Sequence, residues 1–242
     1  MTDLPPPSTT LLDGASLFLD FDGTLVNFVI DPAAAEADQR LRALLCALST
    51  RLDDRLAILS GRSLDDVTAR IGLGAIPMAG SHGLERRSAD GHVTRAPIPP
   101  TLAIATHAAR DFATAHDLLL EPKAAGVALH YRDSQHAEAA VDAFAHRLAE
   151  QTGLELQKGK CVRELKVLGA NKGDAVRAFM TEPPFLVGSP VVVGDDLTDE
   201  HAFIAAAALG GHAILVGDAR PTAAQFRLPT VEATLAWLGS AL

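Results

Sequence analysis

Two aspartates one position apart, Asp20 and Asp22, close the apolar run in "SLFLDFDGTLV", residues 16–26. In an extended chain that spacing puts both side chains on one side, and Gly23 permits a tight turn straight after them. A lone aspartate here would read as a turn or cap residue. Two in D-x-D-G-T, directly after a strand, mark a site. A second acidic group, "VVVGDDLTDE" (191–200), follows another apolar run. Asp196 with Asp199 reads as a helix cap with an acidic first turn, but a cap does not account for Asp195 as well. If the two strands are neighbours, three or more carboxylates converge. Such a cluster needs a cation among them, and all-oxygen ligands point to Mg²⁺.

Positive and hydroxyl partners recur at other element ends. "LAILSGRS" stops on Ser60-Gly61, where a hydroxyl and the next backbone N–H make an oxyanion cradle. Taken alone, Ser60 reads equally as an ordinary loop serine. "GANKGDAVRAF" sets Lys172 at a helix start, where a cation opposes the dipole. That suits a lysine offsetting carboxylates and a phosphoryl group, with a solvated surface lysine as the plain alternative.

Short apolar runs alternating with helical patterns must position these residues, a rhythm of βαβ units on a largely parallel sheet. Strands are expected at 17–22, 56–60, 76–80, 190–194 and 212–216, and helices near 33–51, 63–72, 172–181 and 199–209. Residues 84–167 break the rhythm. "ERRSADGHVTRA" carries an Asp90-Gly91 hairpin signal. A helix near 100–116, the stretch "LLLEPKAAGVALHYRD", a helix near 134–152 and "LELQKGKCVRELKV" follow, which reads as an inserted α+β module. The Pro- and Thr-rich residues 1–14 read as a loose tail.

Composition sets the class. Of 242 residues 48% are apolar and 21% charged, enough to bury a sizeable core. A formal charge of −9 argues against nucleic acid as a partner. It leaves room for a small phosphorylated ligand in a locally reversed field. Cys46 and Cys161 form no C-x-x-C, so neither a disulfide framework nor a zinc site is expected. With no signal-like start and no 18-residue apolar run, the expectation is a soluble, cytoplasmic monomer that does not span a membrane.

Taken in order, D-x-D-G-T, Ser-Gly-Arg, Lys-Gly and G-D-D-x-x-D resemble the haloacid dehalogenase-like phosphohydrolase superfamily. The resemblance implies an α/β fold, a Rossmann-like, mostly parallel core (15–84 and 168–242) with an inserted α+β cap (85–167). It implies that Asp20 is a nucleophile forming an aspartyl-phosphate. Asp22 would protonate the leaving alkoxide and then activate water. Ser60 and Lys172 would bind phosphoryl oxygens. Mg²⁺ would be held by Asp20, the backbone carbonyl of Asp22 and Asp195, with Asp196 or Asp199 close by.

The insertion narrows the resemblance. Glu121 and Lys123 share a strand face, as do His130 and Arg132, and Lys158, Lys160 and Glu164 could share a third. For an isolated pair, a solvated sheet face explains this. "GSHGLE" (80–85), "EPKAAGVALHYRD" (121–133), "KGKCVRE" (158–164), "NKGDAV" and "GDDLTDE" together resemble the trehalose-6-phosphate phosphatase family. That implies Glu121, Lys123, Arg132, Lys160 and Glu164 as ligands of sugar hydroxyls, with Ser81, His82 and Gly83 lining the site. Alternatives are phosphatases of sucrose phosphate, a mannosyl-glycerate phosphate or a hexose phosphate, and a phosphomutase. A receiver domain and a non-catalytic sugar-phosphate sensor complete the set. A receiver has neither Asp22 nor the insertion, and the sensor would lack turnover.

Overall fold

The computed structural model describes residues 4–27, 37–123, 125–159, 161–168 and 171–242. The chain divides into two compact units, one from Met1–Arg95 with Ala170–Leu242 and one from Ala96–Gly169. In the first unit β1 (Ala15–Asp20), α1 (Gln39–Arg51), β2 (Leu56–Leu59), α2 (Leu64–Ile71) and β3 (Met78–Gly80) lead into a hairpin, β4 (Glu85–Arg87) and β5 (Val93–Arg95). The second unit holds α3 (Thr101–His116), β6 (Leu119–Lys123), β7 (Gly126–His130), α4 (Glu138–Thr152), β8 (Glu155–Gly159) and β9 (Val162–Lys166). The first unit resumes with α5 (Lys172–Phe179), β10 (Ser189–Gly194), α6 (Glu200–Ala208), β11 (His212–Val216), β12 (Phe226–Leu228) and α7 (Val231–Ser240).

The larger sheet has eight strands in the order β12-β11-β10-β1-β2-β3-β4-β5. From β12 to β3 every pairing is parallel, and the β3–β4 and β4–β5 pairings are antiparallel. A parallel sheet is covered on both faces, and the sequence supplies both covers. Leu17 and Leu19 point into one apolar layer with Leu41, Leu45 and Leu48 of α1, Val67 of α2 and Trp237 of α7. Phe18 points the other way, into a layer with Val176 and Phe179 of α5 and Phe203 of α6. All six residues of β1 are buried, which is why the sequence reads there as one apolar run ending abruptly on a carboxylate.

Two boundaries differ from the sequence reading. The hairpin around Asp90-Gly91, expected in the insertion, extends the core sheet, because β4 pairs antiparallel with β3 from Met78↔Arg87 to Gly80↔Glu85. The inserted unit therefore begins at 96 rather than 85. The first helix starts at Gln39, where the Asp38 carboxylate accepts from the Leu41 amide and caps it. The expected helical residues 33–36 lie outside the described residues. Neither β12 nor α7 was expected; both fall in the short C-terminal stretch after β11.

The second unit is a four-stranded antiparallel sheet, β6-β7-β9-β8, with α3 and α4 on one face. Phe112 and Phe144 stack between those helices at 4.1 Å. Among the described residues, no helix is long and apolar enough to cross a membrane.

Candidate active site

Strand β1 sits where the chain's direction of travel reverses. It pairs with β2 on one side and β10 on the other, so ligands are expected beyond the carboxyl ends of these strands. Asp20 is the last residue of β1, Ser60 follows β2, and Asp195 follows β10. Parallel register does the gathering: Leu19 lies opposite Val193, and Asp20 opposite Leu59. The turn after Asp20 presses against the acidic loop. Gly23 has φ +85°, and a Cβ there would lie 2.3 Å from the Asp195 Oδ2 atom. Only glycine fits both the conformation and the contact.

Lys172 ties the group together. Its Nζ donates to Asp20 Oδ1 and to Asp199 Oδ1, both at 2.6 Å, and all three side chains are buried. The other Asp199 oxygen, Oδ2, accepts from the amides of Asp195 and Asp196 at 3.0 Å each. Thr24 Oγ1 donates to Asp195 Oδ1 at 3.4 Å. Asp20, Asp195 and Asp199 each offer an oxygen, all within 4.8 Å of one another. Three carboxylates around one lysine leave an excess of negative charge, and a hard divalent cation fits that donor set.

The electrostatics follow from burial. Burial alone would lower the Lys172 pKa, but the charges of Asp199 and Asp20, with their hydrogen bonds, more than reverse this and raise it. Lys172 is therefore a fixed cation. Asp20 is pushed well above the ordinary carboxylate value by burial and by Asp199 and Asp195, against the pull of Lys172. Asp195 is raised to about 6, first by burial and then by Asp199. An acid raised on folding favours the folded state below its unfolded pKa and loses that contribution as pH rises through the folded value. The metal-free protein should therefore lose about 2–3 kcal/mol at Asp195 between pH 4 and pH 8. In EDTA, Asp195→Asn should unfold at a higher temperature than the parent at pH 8, with the gap closing by pH 4. Identical melting curves across that range would remove the argument.

Asp22 is not part of this cluster. Its carboxylate is gripped by Arg62, with Nε on Oδ2 at 2.6 Å and Nη2 on Oδ1 at 2.7 Å. The sequence placed Arg62 in a motif but assigned it no task. Of the two acids expected near the metal, Asp196 is exposed at the start of the turn Leu197–Asp199, where it caps the turn as expected, while Asp199 turns inward. The reason is local: Asp199 is the residue whose side chain folds back onto the loop amides. Arg220 closes the same loop from outside. It donates to the carbonyls of Asp195 and Asp196 at 3.2 and 2.9 Å and pairs with Glu200. No signal in the sequence marked it.

Ser60 is buried and its Oγ accepts from the Arg62 amide at 3.1 Å. Ser81, His82 and Gly83 all have positive φ, at 49°, 58° and 105°. For the first two this is costly backbone, of order 1–3 kcal/mol each, of the sort that gathers at functional sites. The twist lays the His82 ring over Gly61, where a Cβ would come within 2.7 Å of Cε1. The Ser81 hydroxyl is spent on Glu85, which also accepts from the Leu64 amide.

In the second unit, Glu121, Ala128, Glu164 and Gln157 form one cross-strand row. On that face Lys123 Nζ donates to Glu164 at 2.7 Å, and His130 pairs with Glu121 at 2.9 Å. Lys158 is not with them. The β8–β9 register sets it opposite Arg163 on the helix-covered face, where both bind Asp142. Arg132 has left the strand for the turn Arg132–Ala137 and is exposed. Lys160 lies outside the described residues.

A family model described as trehalose-phosphatase matches residues 18–232. The chain belongs to that family. It is 37% identical over 224 residues to the trehalose-6-phosphate phosphatase of Escherichia coli (strain K12), a match covering 91% of this chain and 84% of that protein. A crystal structure of a trehalose-6-phosphate phosphatase related protein superposes with a TM-score of 0.74 at 28% identity, covering 93% of this chain and 95% of that one. A haloacid dehalogenase-like hydrolase from Bacteroides thetaiotaomicron shares the fold, with a TM-score of 0.67 at 14% identity over 93% and 98% of the two chains. Trehalose-phosphatase membership thus agrees with an α/β core whose carboxylates gather at the end of β1.

Proposed function

We propose that this chain hydrolyses trehalose 6-phosphate to trehalose and phosphate through an aspartyl-phosphate. The observation that carries the reading is the set of buried Asp20, Lys172 and Asp199 with half-buried Asp195 at the strand ends of a trehalose-phosphatase-family core. Asp20 attacks phosphorus; an Asp20–phosphorus bond forms as the bond to the sugar oxygen breaks. That oxygen takes a proton from the Asp22 carboxyl and leaves as the sugar hydroxyl. Water then attacks phosphorus, giving its proton to the Asp22 carboxylate. The Asp20 carboxylate is released with inorganic phosphate. Lys172 and Ser60 hold phosphoryl oxygens throughout.

Asp20, Asp195 and Asp199, with the Asp22 carbonyl, would hold Mg²⁺, the hard cation that an all-oxygen set favours. When bound, the ion supplies positive charge to the transferring phosphoryl group and offsets the carboxylates. Glu121, Lys123, Arg132, Lys160 and Glu164 would hold the sugar hydroxyls, because ionised groups make the stronger hydrogen bonds to a polyol. The acidic net charge supports a small-molecule substrate and no nucleic acid.

Phosphate release from a panel of sugar phosphates tests this. Release from trehalose 6-phosphate should exceed that from glucose 6-phosphate and sucrose 6-phosphate by at least about 10²-fold, since a site built to hydrogen-bond hydroxyls discriminates by up to about 10⁴–10⁵ when those partners are missing. Excess EDTA should suppress it. Preference for another sugar overturns the substrate but not the chemistry. A folded protein that turns over none of them is a sensor.

A further inference from the structure

We infer that Arg62 is the positioning residue for the Asp22 carboxyl group, and that its fork aims the acid at the leaving oxygen. The inference rests on the reading of Asp22 as acid and base. Asp22 lies beyond the end of β1, in a turn bridged to Val26. Both of its carboxylate oxygens accept from Arg62, Oδ2 from Nε and Oδ1 from Nη2. A guanidinium binding both oxygens fixes the plane of the carboxylate as well as its place. Arg62 is itself held: Nη1 donates to Asp66 Oδ2 at 3.1 Å, while Arg70 Nε holds Asp66 Oδ1 at 2.8 Å. Asp66 and Arg70 lie one turn apart on α2. The chain of contacts therefore runs from a rigid helix to the proton-carrying group. Arg62 also shares a turn with Ser60, whose Oγ accepts the Arg62 amide. The phosphoryl cradle and the acid are thus set by one three-residue segment, Ser60-Gly61-Arg62.

The alternative is that Arg62 merely stabilises the turn, and leaving-group dependence separates the two. Over the steps that determine kcat/KM, up to departure of the alcohol, a sugar alkoxide needs a proton, whereas p-nitrophenolate leaves without one. Arg62→Gln should lower kcat/KM for trehalose 6-phosphate by about 10²-fold, at the lower end of what a well-placed acid contributes, with a loss under about fivefold for p-nitrophenyl phosphate. Arg62→Lys keeps the charge but not the fork, and should restore only part of the loss. Since Arg62 acts through Asp22, Asp22→Asn/Arg62→Gln should lie within about twofold of Asp22→Asn alone. Equal losses on both substrates, or full additivity in the double variant, overturn the inference and leave Asp22 in its role. If Asp22→Asn shows no selective loss on trehalose 6-phosphate, the acid–base reading falls and takes the inference with it. Should Arg62→Gln not fold, Arg62→Lys carries the same comparisons.

Discussion

Asp20→Asn is expected to abolish turnover of trehalose 6-phosphate, by at least about 10⁴-fold in kcat, while the chain stays folded. The amide is the same shape as the carboxylate but its oxygen is a poor nucleophile, so no aspartyl-phosphate forms. Folding should survive because of what surrounds the residue. Burial, with repulsion from Asp199 and Asp195, already disfavours the Asp20 charge. Neutralising it removes one of three crowded carboxylates and leaves Lys172 its second partner, Asp199. The melting temperature in EDTA at neutral pH should therefore not fall. Phosphate release and thermal unfolding of the same preparation check both halves. A rate within tenfold of the parent would remove Asp20 as the nucleophile, and a large drop in melting temperature would remove the account of its burial.

Much of this site was legible because chemistry and fold coincide at strand ends. A fully buried parallel strand is an unbroken apolar run, so "LFLDFD" announced both β1 and the anomaly at its tip. Asp20, Asp195 and Lys172, which the structure brings together, could be named because they close, follow or open a regular element. What escaped depends on side-chain direction within loops. Asp196 and Asp199 look alike in "GDDLTDE", and only the fold-back of Asp199 onto two amides separates the buried member from the exposed one. Arg62 was visible as a motif letter, yet its grip on Asp22 spans 40 residues. Lys158 was misplaced because parity was carried through a hairpin whose turn, with Cys161 at φ 59°, pairs Lys158 with Arg163. The hairpin 85–95 was recognised as a hairpin, but nothing local says which sheet it joins.

Lys172→Met is expected to cost about 3–5 kcal/mol in the metal-free protein, because removing one partner of a buried ion pair leaves the other charges uncompensated. For a chain of this size that is roughly 10 °C in melting temperature. The position makes the loss severe. Lys172 is the first residue of α5, capped by Asn171, where the helix dipole opposes a cation. It is retained there by two carboxylates at 2.6 Å. Methionine keeps the length and the apolar stem but strands Asp20 and Asp199 in a buried site. The deficit has a definite pH dependence. Lys172 holds its charge across the ordinary range, since its pKa is raised, so the change arises from the acids it neutralises. Below about 6, where Asp195 takes up a proton, repulsion in the cluster falls and the two melting curves should converge. A divalent cation, by supplying positive charge among the same oxygens, should narrow the gap at pH 8. Activity should not return with it, because the phosphoryl oxygens still lack their lysine, a loss of about 10²–10³-fold in kcat. If the variant melts with the parent at pH 8 in EDTA, Lys172 is not what balances these carboxylates.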